Sequence, residues 1–118
     1  PIYIQRAFRR AIDDTAHNTG MVLTVAFDYG GRAEITRAAQ LAAKDATALS
    51  PLTVELIERH LYDPSLPPVD LLIRTSGETR ISNFLLWQIA GARVYFTERT
   101  WPDFDAGELD SALALLST

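Results

Sequence analysis

The sequence predicts an α/β fold, a parallel sheet flanked by helices, from the order of two kinds of segment. Apolar runs rich in β-branched or aromatic residues occur at 21–27, 69–73 and 92–97, and stretches with helical spacing separate them. Strands that alternate with helices pair in parallel, because a parallel pair needs a long crossover between its members. A third observation sets a limit. Three strands are few for a sheet covered on both faces, so either one edge is open or strands of the same sheet lie outside these residues.

Residues 3–16 place Ile4, Ala7, Phe8, Ala11, Ile12 and Thr15 on one face against Arg6, Arg9, Arg10, Asp13 and Asp14 on the other, which predicts an amphipathic helix ending at Asn18-Thr19-Gly20. The nearly unbroken apolar run at 21–27 reads as a strand buried on both faces. Tyr29-Gly30-Gly31-Arg32 is a glycine-containing loop into an alanine-rich helix over 33–49. Ser50-Pro51 supplies a cap and a first-turn proline for a further helix to about residue 61. Pro64, Pro67 and Pro68 stiffen the connection to the second strand, and a polar loop at 74–80 follows it directly. A helix over 82–90 stops at Gly91, a third strand covers 92–97, Trp101-Pro102-Asp103-Phe104 forms a turn, and a last helix spans 106–116. No internal repeat, low-complexity segment or second domain boundary interrupts this order.

Composition narrows the chemistry. The 118 residues carry no cysteine, which removes disulfides, thiolate metal sites and cysteine nucleophiles together. Fifteen acidic against eleven basic side chains give a net charge of -4 with no basic run, so nucleic acid is not the expected partner. All of the basic side chains but Lys44 are arginines, the side chain suited to forked recognition of carboxylate or phosphate. The first residues, from Pro1, have no charged leader followed by an apolar core, and no apolar stretch is long enough to span a bilayer. A helix that begins at Pro1 with no initiator Met suggests a fragment of a longer chain.

The chemistry-bearing segment is the strand, loop and helix start at 73–84. In open α/β sheets ligands bind outside the carboxyl ends of the strands, where helix N-termini present free N–H groups. Around that point the loop gathers Arg74 and Arg80, the hydroxyls of Thr75, Ser76, Thr79 and Ser82, and the flexible Gly77. This set suits a phosphate or diphosphate. The alternative is that Arg74 and Arg80 pair with Glu78 and Asp70 while Ser82 only caps the helix. The helix over 82–90 is apolar almost all round and suits either a central core position or a subunit interface. His17 and His60 are expected at solvent-facing helix ends, without a metal-ligand pattern around them.

The run Arg74-Thr75-Ser76-Gly77-Glu78-Thr79-Arg80-Ile81-Ser82-Asn83-Phe84-Leu85-Leu86-Trp87-Gln88 resembles the signature of the cis-prenyltransferases, the undecaprenyl diphosphate synthase family. Asn18-Thr19-Gly20, Tyr29-Gly30-Gly31-Arg32 with Glu34-Ile35, and Tyr95-Phe96-Thr97 through Trp101-Pro102-Asp103-Phe104 agree with it in order and spacing. The resemblance implies that residues 1–118 are the C-terminal portion of a single domain that condenses isopentenyl diphosphate with an allylic diphosphate in Z geometry. It implies that Arg74, Arg80 and Ser82 grip the diphosphate of isopentenyl diphosphate, with Glu78, Thr75 and Asn83 near the site. It also implies Mg2+ as cofactor, a homodimer, a cytoplasmic location and transient contact with membrane, since the polymerised product is a lipid.

This sequence departs from the pattern in two ways. The Asp-Gly-Asn-Gly-Arg-Trp type segment that carries the family's catalytic Asp is absent, as is a C-terminal Arg-x-Gly type tail, so the 118 residues alone are expected to be inactive. Arg93 stands where the family usually has a metal-organising glutamate, and Thr79 where histidine is frequent, which leaves no metal ligand in this chain. Arg93 either supplies charge that magnesium brings elsewhere or pairs at the surface with Glu98 or Asp103. A non-catalytic accessory subunit and a degenerate diphosphate-binding domain are the alternative functional readings.

Overall fold

The computed structural model describes residues 1–117. Helix α1 spans Ile2–Thr15 as the spacing predicts, yet it buries no residue. Its apolar face is met by the ring of Phe27, which lies edge-on to Phe8 at 5.0 Å. Helix α2 runs Gly31–Asp45 and buries Glu34, Ala38 and Ala42 on one stripe. It stops at Asp45 rather than at 49, because Thr47 and Ser50 exchange backbone hydrogen bonds and close a turn there.

Helix α3, Val54–Glu58, is shorter than the sequence suggests. Its cap is Thr53, whose hydroxyl accepts from the Leu56 N–H at 3.2 Å, and not Ser50. Strands β1, Leu71–Arg74, and β2, Arg93–Phe96, pair in parallel with Leu71 opposite Arg93 and Arg74 opposite Phe96. A single 3-10 turn at Trp101–Asp103 leads into α4, Ala106–Ala114, which opens on Asp105 as cap and closes in a second 3-10 turn. The core is small: Ala38, Ala42, Leu61, Leu72, Ile89 and Ala112.

Two expectations are corrected. The apolar run at 21–27 is extended but pairs with no strand among the described residues, so the sheet there has two strands and not three. Met21, Val22 and Leu23 are 90%, 85% and 78% exposed. A strand buried on both faces requires neighbours on either side, and none of the described residues supplies one. The segment 82–90 is a series of turns rather than a helix. Leu85 adopts a left-handed φ of 47°, and the Asn83 carbonyl that a helix would use internally accepts instead from the Gly31 N–H at 2.9 Å. Among the described residues one α-type bond forms in this segment, from the Ile89 N–H to the Leu85 carbonyl at 3.0 Å, with a 3-10 type bond from the Ala90 N–H to the Trp87 carbonyl at 3.4 Å.

Candidate diphosphate site

The loop at 75–80 leaves the carboxyl end of β1 and folds onto the segment that leaves β2. The Ser76 N–H donates to the Arg99 carbonyl at 2.7 Å and the Gly77 N–H to the Thr97 carbonyl at 3.0 Å. Two successive left-handed residues make this reversal, Ser76 at φ 64° and Gly77 at φ 68°. The left-handed φ favours glycine at position 77, and a Cβ there would lie 2.6 Å from Glu98 Oε2, so the Glu98 side chain would also have to shift.

That reversal brings four of the predicted residues together. Arg74 Nη1 donates to Ser82 Oγ at 3.0 Å, and its Nη2 lies 3.8 Å from Glu78 Oε2. Arg80 Nε donates to the same Glu78 oxygen at 3.0 Å. Arg74 is the anchored member, with its side chain 22% exposed, and Arg80 the open one at 80%. Arg74 Nε is buried and has no hydrogen-bond partner. A cavity of about 80 Å³ opens beside it, lined by Leu72, Ile73, Arg74, Ile81, Ser82 and Phe84. Two guanidinium groups and a hydroxyl converging on one end of a sheet, with a single carboxylate between them, can exchange that carboxylate for a more highly charged anion.

Other expectations fare differently. Both arginines pair with Glu78, as the alternative reading expects, and Arg74 also donates to Ser82. Asp70 plays no part through its side chain; its carbonyl accepts from the Arg93 N–H at 2.9 Å. Ser82 caps no helix, because none follows it, so the loop offers no helix dipole to an anion and the arginines carry the positive charge alone. Thr75 is half-buried at the strand end, and its carbonyl accepts from the Glu78 N–H at 3.4 Å. Asn83 sits next to Ser82, but its side chain serves α2, accepting from the Arg32 N–H at 2.8 Å.

Arg93 lies at the opposite end of the sheet from this loop, three strand positions and so roughly 10 Å away. It is exposed, and it makes no ion pair with Glu98 or Asp103 among the described residues. His17 is exposed as expected, whereas His60 is half-buried with Nε2 at 2.7 Å from Asp45 Oδ2. No group of three or more His, Cys, Asp or Glu side chains among the described residues is placed to hold a metal ion. No helix of the described residues is long and apolar enough to cross a membrane.

One residue outside the predicted set is conspicuous by its burial. Glu34, in the first turn of α2, is 2% exposed and accepts from the Tyr29 hydroxyl, from the Tyr62 N–H at 2.9 Å, and from Gln88 Nε2 at 3.3 and 3.2 Å. Burial, and then the hydrogen bond to Glu34, hold the Tyr29 hydroxyl well above its ordinary pKa. An acidic residue in a first helical turn is a visible signal. Its burial is not, because Tyr62 and Gln88 lie far along the chain.

Residues 1–117 match the family model described as "Putative undecaprenyl diphosphate synthase". The chain is similar to the ditrans,polycis-undecaprenyl-diphosphate synthase ((2E,6E)-farnesyl-diphosphate specific) of Acinetobacter baylyi, 50% identical over 112 residues that cover 91% of this chain and 45% of that one. It is similar also to an isoprenyl transferase of Listeria innocua, 48% identical over 117 residues, 96% of this chain and 46% of the relative. Among solved structures it resembles lavandulyl diphosphate synthase from Lavandula x intermedia in complex with dimethylallyl diphosphate, at a TM-score of 0.81 and 37% identity over 98% of this chain and 52% of that one. A probable undecaprenyl diphosphate synthase from Campylobacter jejuni gives a TM-score of 0.80 at 28% identity, again over 98% of this chain and 53% of the other. The chain therefore spans about half the length of the relatives it matches.

Proposed function

Since the chain belongs to the undecaprenyl diphosphate synthase family of cis-prenyltransferases, we propose that it is the C-terminal portion of an enzyme that elongates a prenyl chain with Z geometry, and that it carries the site for isopentenyl diphosphate. The second substrate is an allylic diphosphate. Condensation forms a C–C bond between the two chains, breaks the allylic C–O bond and releases inorganic diphosphate and a proton, so the diphosphate of the isopentenyl unit stays on the product while the allylic one departs. A site for the retained diphosphate has to hold it without promoting its loss.

The observation that supports this reading is the Arg74 side chain, fixed by Ser82 at 3.0 Å with its Nε buried and unpartnered beside a small apolar cavity. Fixed guanidinium donors and a hydroxyl grip a diphosphate through several charge-assisted hydrogen bonds. Arg80, exposed and tethered only to Glu78, closes over it from the solvent side. Glu78 holds the two guanidinium groups against mutual repulsion until the substrate takes its place. Leu72, Ile73, Ile81 and Phe84 offer apolar surface to the prenyl end.

Magnesium, the cation the family resemblance implies, has no donor set among the described residues of this chain. Glu78 is held by two arginines, and Arg93 carries the wrong charge for a ligand, so no role of these residues toward the ion forms part of the proposal. A homodimer, a cytoplasmic location and transient membrane contact by the lipid product complete the reading. The experiment is condensation of labelled isopentenyl diphosphate with an allylic diphosphate, run on the complete polypeptide that carries this sequence and on the 118-residue chain alone. Z-prenyl product from the complete polypeptide and none from the 118 residues is the expected outcome. Diphosphate binding without product from the complete polypeptide would favour an accessory or degenerate protein.

A further inference from the structure

The segment 82–88, which carries Ser82 to Arg74, is not held by secondary structure of its own. It is held at two points by α2. At its start, both the carbonyl and the side chain of Asn83 are taken by the first turn of α2, through the Gly31 N–H at 2.9 Å and the Arg32 N–H at 2.8 Å. At its end, Gln88 Nε2 reaches both oxygens of the Glu34 carboxylate. Between the two, the Phe84 ring stands edge-on to Tyr29 at 5.6 Å, and the Tyr29 hydroxyl donates to Glu34. The packing is close at this junction, since a Cβ on Gly31 would lie 3.1 Å from the Leu86 backbone nitrogen.

From this juxtaposition we infer that Glu34 is a positioning residue for the diphosphate site: it sets where Ser82 stands against Arg74 by clamping the turn segment that bears it. Glu34 itself cannot meet a substrate, being 2% exposed with both oxygens occupied by Tyr29, Tyr62 and Gln88. Its reach is through Gln88. Burying a carboxylate is costly unless it is fully hydrogen-bonded, and three donors from three separate parts of the chain meet that need. The Gln88 amide is committed to the same end, because its Oε1 is buried without a partner while its Nε2 faces Glu34. The Gln88 carbonyl accepts from the Val69 N–H at 3.2 Å, just ahead of β1, so the clamp also fixes the segment against the strand that carries Arg74. An error of an ångström in a positioned contact costs binding and rate far more than its own energy suggests.

This inference rests on the reading of Arg74 and Ser82 as a diphosphate site, and its test separates the two. Steady-state kinetics with isopentenyl diphosphate on the complete enzyme compare wild type, Glu34→Gln, Ser82→Ala and the double variant. The expected result is a KM for isopentenyl diphosphate raised about tenfold by Glu34→Gln with kcat within about twofold, and no further rise when Glu34→Gln is added to Ser82→Ala. A merely structural role would lower the active fraction, and so the apparent kcat, without moving KM. An unchanged KM, or effects of the two substitutions that multiply, overturns the inference. If Glu34→Gln does not fold, Tyr29→Phe removes one donor and keeps the ring; it should raise KM about threefold, again without effect in the Ser82→Ala background. No change in KM for Tyr29→Phe then counts against the clamp. Arg74→Ala that leaves KM unaltered would sink the diphosphate site itself, and the inference with it, whereas a large effect of Arg74→Ala beside none of Glu34→Gln refutes the inference alone.

Discussion

The Arg74 guanidinium donates to the Ser82 hydroxyl at 3.0 Å, and this one bond joins the end of a strand to a segment that has no regular structure. The proposed diphosphate site is built around it. Arg74 lies part-way into the fold and Arg80 at its surface, a part-buried donor and an exposed one facing the same carboxylate.

That carboxylate, Glu78, competes with any incoming anion. Glu78→Gln should therefore tighten the binding of inorganic diphosphate by about three- to fivefold at low salt, the scale of a partly exposed ion pair, with the gain shrinking as salt is raised. Calorimetric titration with inorganic diphosphate at two ionic strengths measures it. Weaker binding in the variant would mean that Glu78 orients the arginines rather than occupying them.

Gly77 fixes the reversal of the loop. Gly77→Ala meets both a left-handed φ of 68° and a carboxylate oxygen 2.6 Å from the new Cβ. Destabilisation on the order of 2 kcal/mol is expected, read as a lowered midpoint in denaturant with an unchanged slope. Stability equal to wild type would show that Glu98 swings aside and that the loop tolerates the strain.

The Tyr29 hydroxyl gives a pH signature. Its folded-state pKa lies above its ordinary value near 10.0, because burial and then the bond to Glu34 favour the protonated form. The unfolded chain therefore releases this proton first as pH rises. The contribution is full below about pH 10 and is lost progressively above it. Stability measured from pH 8 to about 11 should fall more steeply in wild type than in Tyr29→Phe. Parallel curves would remove Tyr29 from the account.

Much of this was legible in the residues. The two formed strands, helices α1, α2 and α4, and the convergence of Arg74, Arg80 and Ser82 follow from local pattern and from the rule that places ligands at strand ends. The two missed elements share one cause, dependence on distant partners. The run at 21–27 reads as a buried strand, but a strand exists only where another chain segment completes its hydrogen bonds, and none of the described residues does. The run at 82–90 reads as a helix from its apolar content, yet the Asn83 carbonyl and amide are diverted to α2, 51 residues away in sequence. The burial of Glu34 is not legible for the same reason: it is set by Tyr62 and Gln88, which no local window contains.

Binding of isopentenyl diphosphate to the complete polypeptide, followed by isothermal titration calorimetry in wild type, Arg74→Ala and Arg80→Ala, tests the central claim most directly. The account predicts one saturable site, weakened roughly 10- to 100-fold by Arg74→Ala and less by the more exposed Arg80→Ala. Affinity unchanged by Arg74→Ala would contradict it.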